Sequence, residues 1–156
     1  MVVVSQETVG SLQGKGSVIG KAATVRADAP LRSVVEAVVA NPASQKVYVV
    51  DGQGKYLGAI LISTLMRQVA NRFGVREAGV RSFMRYLSEM LGKDKAQDYL
   101  TKEMLTVRLE TPLTKAIEVM VTHNVNSLPV VDDDNRVIGE LSGMEFLRET
   151  LTAKWE

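Results

Sequence analysis

The chain repeats itself, and that repeat constrains its fold more than any other feature. Thr24-Val25-Arg26, Pro30-Leu31, Glu36 and Val39 return 82 residues later as Thr106-Val107-Arg108, Pro112-Leu113, Glu118 and Val121. After one net deletion the offset becomes 81, and Val49-Val50-Asp51, Gly58 and Arg67 return as Val130-Val131-Asp132, Gly139 and Arg148. A self-match that keeps one order over this length implies two copies of one folding unit. Two such units, packed together, create a pseudo-symmetric cleft in which a ligand is expected.

Each copy reads as strand, helix, strand, strand, helix. In the second copy Thr111 is placed to cap a helix whose first position is Pro112, where a missing N–H costs nothing. Leu113, Ala116, Ile117, Met120 and Val121 then form one helical stripe, matched in the first copy by Leu31, Val34, Val35, Val38 and Val39. Valine is a mediocre helix former, so burial rather than propensity must hold that first-copy helix. A strand follows (Leu128 to Val131, or Val47 to Val50). A polar turn, Asp132-Asp133-Asp134-Asn135 or Asp51-Gly52-Gln53-Gly54, leads into a second strand, which reads as a hairpin. A second helix carries Leu65, Met66 and Val69, or Phe146, Leu147 and Leu151. The fold class is α+β: two pseudo-symmetric β-α-β-β-α repeats, expected to pack sheet to sheet because neither small sheet is stable alone.

The repeat leaves residues 72–97 unexplained. Val80, Phe83, Met84, Leu87 and Leu91 have helical spacing there, and Gly92 is placed as a stop. Arg67, Arg72, Arg76, Arg81, Arg85, Lys93 and Lys95 oppose only Glu77, Glu89 and Asp94. The segment is either a solvated helix with a hydrophobic docking side or a basic surface for a phosphate or an acidic partner. The sequence therefore divides into a first repeat (9–71), a helical insert (72–97), a second repeat (98–152) and termini (1–8 and 153–156).

Composition excludes several classes. A net charge of +1 gives no reason to expect nucleic acid as a partner. No apolar run approaches the roughly 20 residues that span a bilayer, so no membrane segment is expected. Residues 1–7 show neither a basic start nor a cleavable apolar stretch, and cytoplasmic location is the expectation. The absence of cysteine removes disulfides, thiolate metal sites and cysteine nucleophiles.

The order and residues resemble a tandem pair of cystathionine-β-synthase-type (CBS) domains. The resemblance rests on Ser127-Leu128-Pro129-Val130-Val131-Asp132, a turn, then Gly139-Glu140-Leu141-Ser142-Gly143-Met144-Glu145. Tyr99 to Val107 looks like the lead-in strand. The resemblance implies a regulatory module that holds an adenine nucleotide or adenosyl compound in the cleft, dimerises, and signals occupancy to a partner protein. It implies no obligatory cofactor and no enzymatic activity. It places Ser142 at phosphate and Glu145 at the ribose hydroxyls, with Thr106, Val107 and Ser127, Leu128, Pro129 and Val130 around the base. A carboxylate at a helix start can accept from two vicinal hydroxyls, N–H groups there favour phosphate, and apolar walls suit a purine face.

The departures from the family pattern are specific. Glu145 stands where the family has Asp. In the first copy Leu61 replaces Ser or Thr, Thr64 replaces Asp and Tyr48 replaces Pro. A second, weaker site lined by Thr24, Val47, Tyr48 and Thr64 is thus expected beside one good site in the second copy. The alternative is a structural dimerisation or docking module whose ligand sites have decayed. A homodimer is expected from the apolar second helices, Leu65, Met66, Val69 and Phe146, Leu147, Leu151.

Other signals are weaker. Gly10 to Ser17 misses the phosphate-loop spacing, with Gly16 at the Ser/Thr position. Asp132 to Asn135 lacks the calcium-loop pattern and its closing Glu, and reads as a hairpin turn. His123, the single histidine, has no partner for zinc or for a nucleophile and suits a helix C-terminus. Glu36 and Glu118 are explained by the repeat rather than by paired-carboxylate catalysis. Trp155 is expected to pack or fray rather than to stack a base.

Overall fold

The computed structural model describes residues 7–13, 19–42, 44–73, 75–101 and 104–151, with no side chain described at 75–78, 149 or 150. Trp155, Lys102, Glu103 and, of the glycine-rich stretch from Gly10 to Ser17, residues Gly14 to Ser17 lie outside these residues. A 3₁₀ turn, Val9–Leu12, precedes β1 (Ile19–Gly20), β2 (Thr24–Arg26), α1 (Leu31–Ala40), β3 (Lys46–Val50), β4 (Tyr56–Leu61), α2 (Ile62–Phe73) and α3 (Val75–Lys93). A second 3₁₀ turn, Ala96–Tyr99, leads to α4 (Leu113–His123), β5 (Ser127–Val131), β6 (Val137–Ser142) and α5 (Gly143–Thr150). No described helix is long and apolar enough to cross a membrane.

The structure divides into two compact units whose borders differ from the repeat borders. One unit holds the chain up to Ala22, Gly54–Tyr56 and the chain from Met104; the other holds Ala23–Gln53 and Leu57–Glu103. In the unit of the second repeat the sheet order is β1-β6-β5, with Ile19 opposite Leu141 and Gly20 opposite Glu140. Val107 bridges in parallel to Val130 on the outer side of β5. In the unit of the first repeat the order is β2-β3-β4, with Val25 opposite Val49 in parallel and Thr101 bridging Ala59 of β4. Val25 and Val107 are equivalent in the repeat, as are Ile19 and Thr101. Each unit thus takes its edge segment from the stretch of chain that precedes the other repeat. The sequence reading treated Tyr99 to Val107 as one lead-in strand. The structure splits it, with Thr101 serving one unit and Val107 the other.

Alternation in the strands fixes where each core sits. Val47, Val49 and Ile60 join Leu31, Val34, Leu65 and Val69 in one core; Val107, Leu128, Val130 and Leu141 join Val9, Leu12 and Ala116 in the other. The helical stripes differ from the sequence reading by a rotation. Leu31, Val34 and Ala116 are buried, but Val39 and its repeat partner Val121 are exposed, and so is Ile117. The helix side facing each core is narrower than the run of apolar residues. The N-cap of α4 is Pro112, not Thr111, and no side chain caps it. The Thr111 hydroxyl instead accepts the Arg108 N–H at 2.9 Å, closing the turn before the helix. His123 is the last residue of α4, followed by Asn124 in the left-handed conformation with φ 52°.

The insert docks on the core of the first unit. Phe83, Tyr86, Leu87, Met90 and Leu91 face that core, and Phe73 stacks on Tyr86 with ring centroids 4.8 Å apart. Val80 and Met84, read as part of the same stripe, are exposed. The helical path breaks at Gly79 (φ 71°, ψ 168°), and α3 continues past Gly92 to Lys93. At its end Asp94 accepts from the buried Tyr99 hydroxyl and from Arg72 Nη1 at 3.2 Å, while Arg72 Nη1 also reaches Tyr99 at 2.9 Å. Burial, followed by the bond to Asp94, raises the Tyr99 phenol well above its ordinary range. Tyr99→Phe should therefore cost about 1.5–3 kcal/mol, the range for a hydrogen bond to a charged group. Urea unfolding with an unchanged midpoint would contradict this.

Candidate functional site

The site is built where β5, β6 and the start of α5 meet. Ser127 lies opposite Ser142, Leu128 opposite Leu141 and Pro129 opposite Glu140 in the antiparallel β5–β6 pair. Pro129 has no N–H to donate, and its carbonyl accepts the Val107 N–H at 3.0 Å; Val131 N–H returns to the Val107 carbonyl at 2.8 Å. With Leu128 and Val130 directed into the core, Ser127 and Pro129 occupy the opposite face of the strand. The side chains of Val107, Leu128 and Val130 are thus committed to packing. What these residues can offer a ligand is backbone. Thr106, half-buried, adjoins them.

Ser142 ends β6 and caps α5. Its hydroxyl accepts the Glu145 N–H at 3.1 Å, satisfying one of the helix's unpaired N-terminal donors. The start of α5 is pinned further by Gly143, whose N–H donates to the Asn126 carbonyl at 2.9 Å. A Cβ on Gly143 would stand 2.8 Å from that carbonyl oxygen, so a glycine is required by this close approach. The Glu145 side chain is 16% exposed, and its Oε1 lies 3.5 Å from Nη2 of Arg148, one turn on. Hydroxyl, carboxylate and guanidinium therefore follow one another along the first two turns of the helix.

The first repeat has the same backbone and different chemistry. Ile62 N–H donates to the Gln45 carbonyl at 3.1 Å, as Gly143 does to Asn126. Leu61 stands where Ser142 stands and has no hydroxyl with which to cap α2. Thr64 takes the place of Glu145, and its hydroxyl accepts from Arg67 Nη2 at 3.4 Å. Thr24 is exposed and pairs with Tyr48, while Val47 and Tyr48 are wholly buried.

Two features escaped the sequence reading. Arg67 and Arg148 appeared in the repeat without a role, Arg67 otherwise only as one of the insert's basic residues. Lys46 and Glu140 are buried ionisable residues inside strands, Lys46 also lying 5.8 Å from the ring centre of Tyr48. A charge interrupting an apolar strand was the available signal. Asp132 to Asn135 form a plain turn: Asp132 Oδ1 accepts the N–H groups of Asp134 and Arg136, both at 2.9 Å. Among the described residues no group of three or more His, Cys, Asp or Glu could hold a metal ion.

Residues 96–151 match the family described as CBS domain. The match lies in the second repeat of the chain. The chain's fold over nearly its whole length is that of solved CBS-domain pairs. CBSX2 from Arabidopsis thaliana superimposes with a TM-score of 0.71 at 20% identity, covering 95% of this chain and 96% of that one. CBSX2 has also been solved in complex with AMP (TM-score 0.67, 21% identity, 94% and 97% covered). The CBS domain pair of protein MJ0100, in complex with 5′-methylthioadenosine and S-adenosylmethionine, gives 0.68 at 18% identity, covering 94% and 98%. Among curated relatives, a homoserine O-acetyltransferase of Methanohalobium evestigatum is 36% identical over 58 residues, 37% of this chain and 12% of that protein. Protein MJ1426 of Methanocaldococcus jannaschii is 33% identical over 60 residues, 38% of this chain and 35% of that protein. The chain thus matches only a minor part of the length of its curated relatives.

Proposed function

We propose that this chain is a CBS-type regulatory module, not an enzyme, that binds an adenine-containing nucleotide around its second repeat and alters a partner protein. The observation that carries this reading is the Ser142–Glu145 turn, a capping hydroxyl and a largely covered carboxylate at the end of β6 beside the buried strand Ser127–Val131. Binding of AMP by CBSX2 and of adenosyl compounds by the MJ0100 pair supports the ligand class. In this reading Ser142 meets phosphate, Glu145 accepts from the ribose hydroxyls, and backbone at Thr106, Val107 and Ser127 to Val130 takes the base. No cofactor is needed, and the module works in the cytoplasm.

Calorimetry with AMP, ADP, ATP, NAD and S-adenosylmethionine tests it; no heat and no thermal shift with any of them would refute it. Losing a carboxylate that holds two hydroxyls should cost about 1.5–3 kcal/mol, roughly tenfold to over a hundredfold in affinity. Glu145→Ala should therefore weaken a ribonucleotide strongly and its 2′-deoxy analogue much less.

A homodimer belongs to the same proposal. Of the second-helix residues, Leu65 and Val69 are buried in their own core, so the exposed apolar residues for a second copy to cover are Met66 on α2 and, separately, Met144 and Leu147 on α5 with Leu151 just after it. A monomer near 17 kDa in light scattering at high concentration would contradict it. The alternative, a docking module with decayed sites, draws on exposed Val80 and Met84 of the insert. Met84→Asp is its informative test, because Leu87 packs against the core.

A further inference from the structure

Both repeats place an arginine one helical turn beyond the position that would hold the ribose. In the second repeat Arg148 Nη2 lies 3.5 Å from Glu145 Oε1. In the first, Arg67 Nη2 lies 3.4 Å from Thr64 Oγ1, so the same geometry persists where no carboxylate is present to attract it. The pairing with Glu145 is therefore not the whole explanation of the arginine's position. The Arg148 side chain is 67% exposed while the Glu145 side chain is 16% exposed, so the guanidinium lies on the solvent side of the pair with most of its five N–H donors open to solvent.

Resting on the reading that the second repeat binds an adenosine compound, we propose that Arg148 is the residue that selects a nucleoside phosphate over an S-adenosyl ligand. Ribose hydroxyls that donate to Glu145 must share that carboxylate with Arg148. A 5′-phosphate gives the released guanidinium a dianionic, bidentate partner beside the Ser142 hydroxyl, so no cation is left without one. A neutral thioether supplies no such partner. A sulfonium brings a positive charge towards Arg148 and is disfavoured by like-charge repulsion. The expected order of affinity is AMP, then adenosine and 5′-methylthioadenosine, then S-adenosylmethionine.

Calorimetry of the full chain with these four compounds, at low and high salt, tests the assignment. Arg148→Gln should weaken AMP about tenfold or more and reduce its salt dependence. The same change should leave adenosine and 5′-methylthioadenosine within about twofold and tighten S-adenosylmethionine. Arg148→Lys should recover part of the AMP affinity, and Arg67→Gln should change nothing in the second repeat. Wild-type protein that binds S-adenosylmethionine as tightly as AMP would overturn the assignment. So would an Arg148→Gln variant that weakens AMP and adenosine alike, which would make Arg148 a support for Glu145 only. Those two results leave the ligand-sensing reading standing, whereas no binding of any of the four compounds would overturn both.

Discussion

Deleting residues 1–22 is expected to unfold the unit that carries the candidate site, not to trim a loose end. Val9 and Leu12 are core residues of that unit, packed with Val107, Ala116, Leu128, Val130 and Leu141. The backbone is tied in as well. Val9 N–H donates to the Thr111 carbonyl at 2.8 Å, Gly10 N–H to Leu109 at 2.7 Å, and Leu113 N–H to Glu7 at 2.9 Å. Ile19 and Gly20 cover the free edge of β6. Burial of the valine and leucine side chains alone contributes about 3–6 kcal/mol, against a total stability of about 5–15 kcal/mol for a typical protein of this kind. The truncated chain should lose its cooperative urea transition in this unit, and any affinity for nucleotide with it. Val9→Ala, a milder form of the same loss, should cost about 2 kcal/mol. A truncated chain that melts like the full one would mean that the segment is not part of this core.

Gly58→Ala should be the most damaging single substitution in the other unit. Gly58 sits at φ +148°, and a Cβ there would meet the Thr101 carbonyl oxygen at 2.5 Å and Leu100 Cδ1 at 2.7 Å. The Thr101 carbonyl cannot withdraw easily, because Thr101 is paired with Ala59 through both of its backbone groups. Backbone strain and overpacking together should cost about 3 kcal/mol or more. Two other glycines separate this cause from glycine loss in general. At Gly139, its repeat partner, the nearest atom to a Cβ is the Gly20 carbonyl at 3.2 Å, so Gly139→Ala should cost less. At Gly92, inside α3, a Cβ meets nothing within 4 Å, so Gly92→Ala should stabilise by up to about 1 kcal/mol. Urea midpoints for the three variants in any other order would contradict the packing described around Gly58.

The repeat made the element order of both units legible, because it couples local periodicity to a copy that can be checked against it. The exchange of edge segments was not legible. Nothing in Val9, Leu12 or Thr101 says which β-strand each will meet, since strand pairing is non-local and leaves no periodic trace in a segment of two to four residues. The helical stripes were read rotated, with Val39, Ile117 and Val121 exposed while Ala37 and Val119 pack on the cores, since apolar character does not reveal which side of a valine-rich helix a small sheet covers. In the candidate site, Ser142 and Glu145 stand out through the resemblance to CBS domains: a hydroxyl followed three residues later by an acid at a helix start. That spacing is also a helix cap, and the Ser142 hydroxyl serves as one. The core-facing direction of Val107, Leu128 and Val130 follows from strand alternation, but only once the register is known. Arg148 was visible in the repeat and silent, because its role depends on where a long side chain turns.

The central claim, one live nucleotide site formed around the second repeat, is tested most directly by titrating AMP into wild-type protein, Glu145→Ala and Thr64→Ala side by side. The account predicts one site per chain, strongly weakened by Glu145→Ala and left nearly unchanged by Thr64→Ala. Two equivalent sites, or an equal loss from the two substitutions, would contradict it.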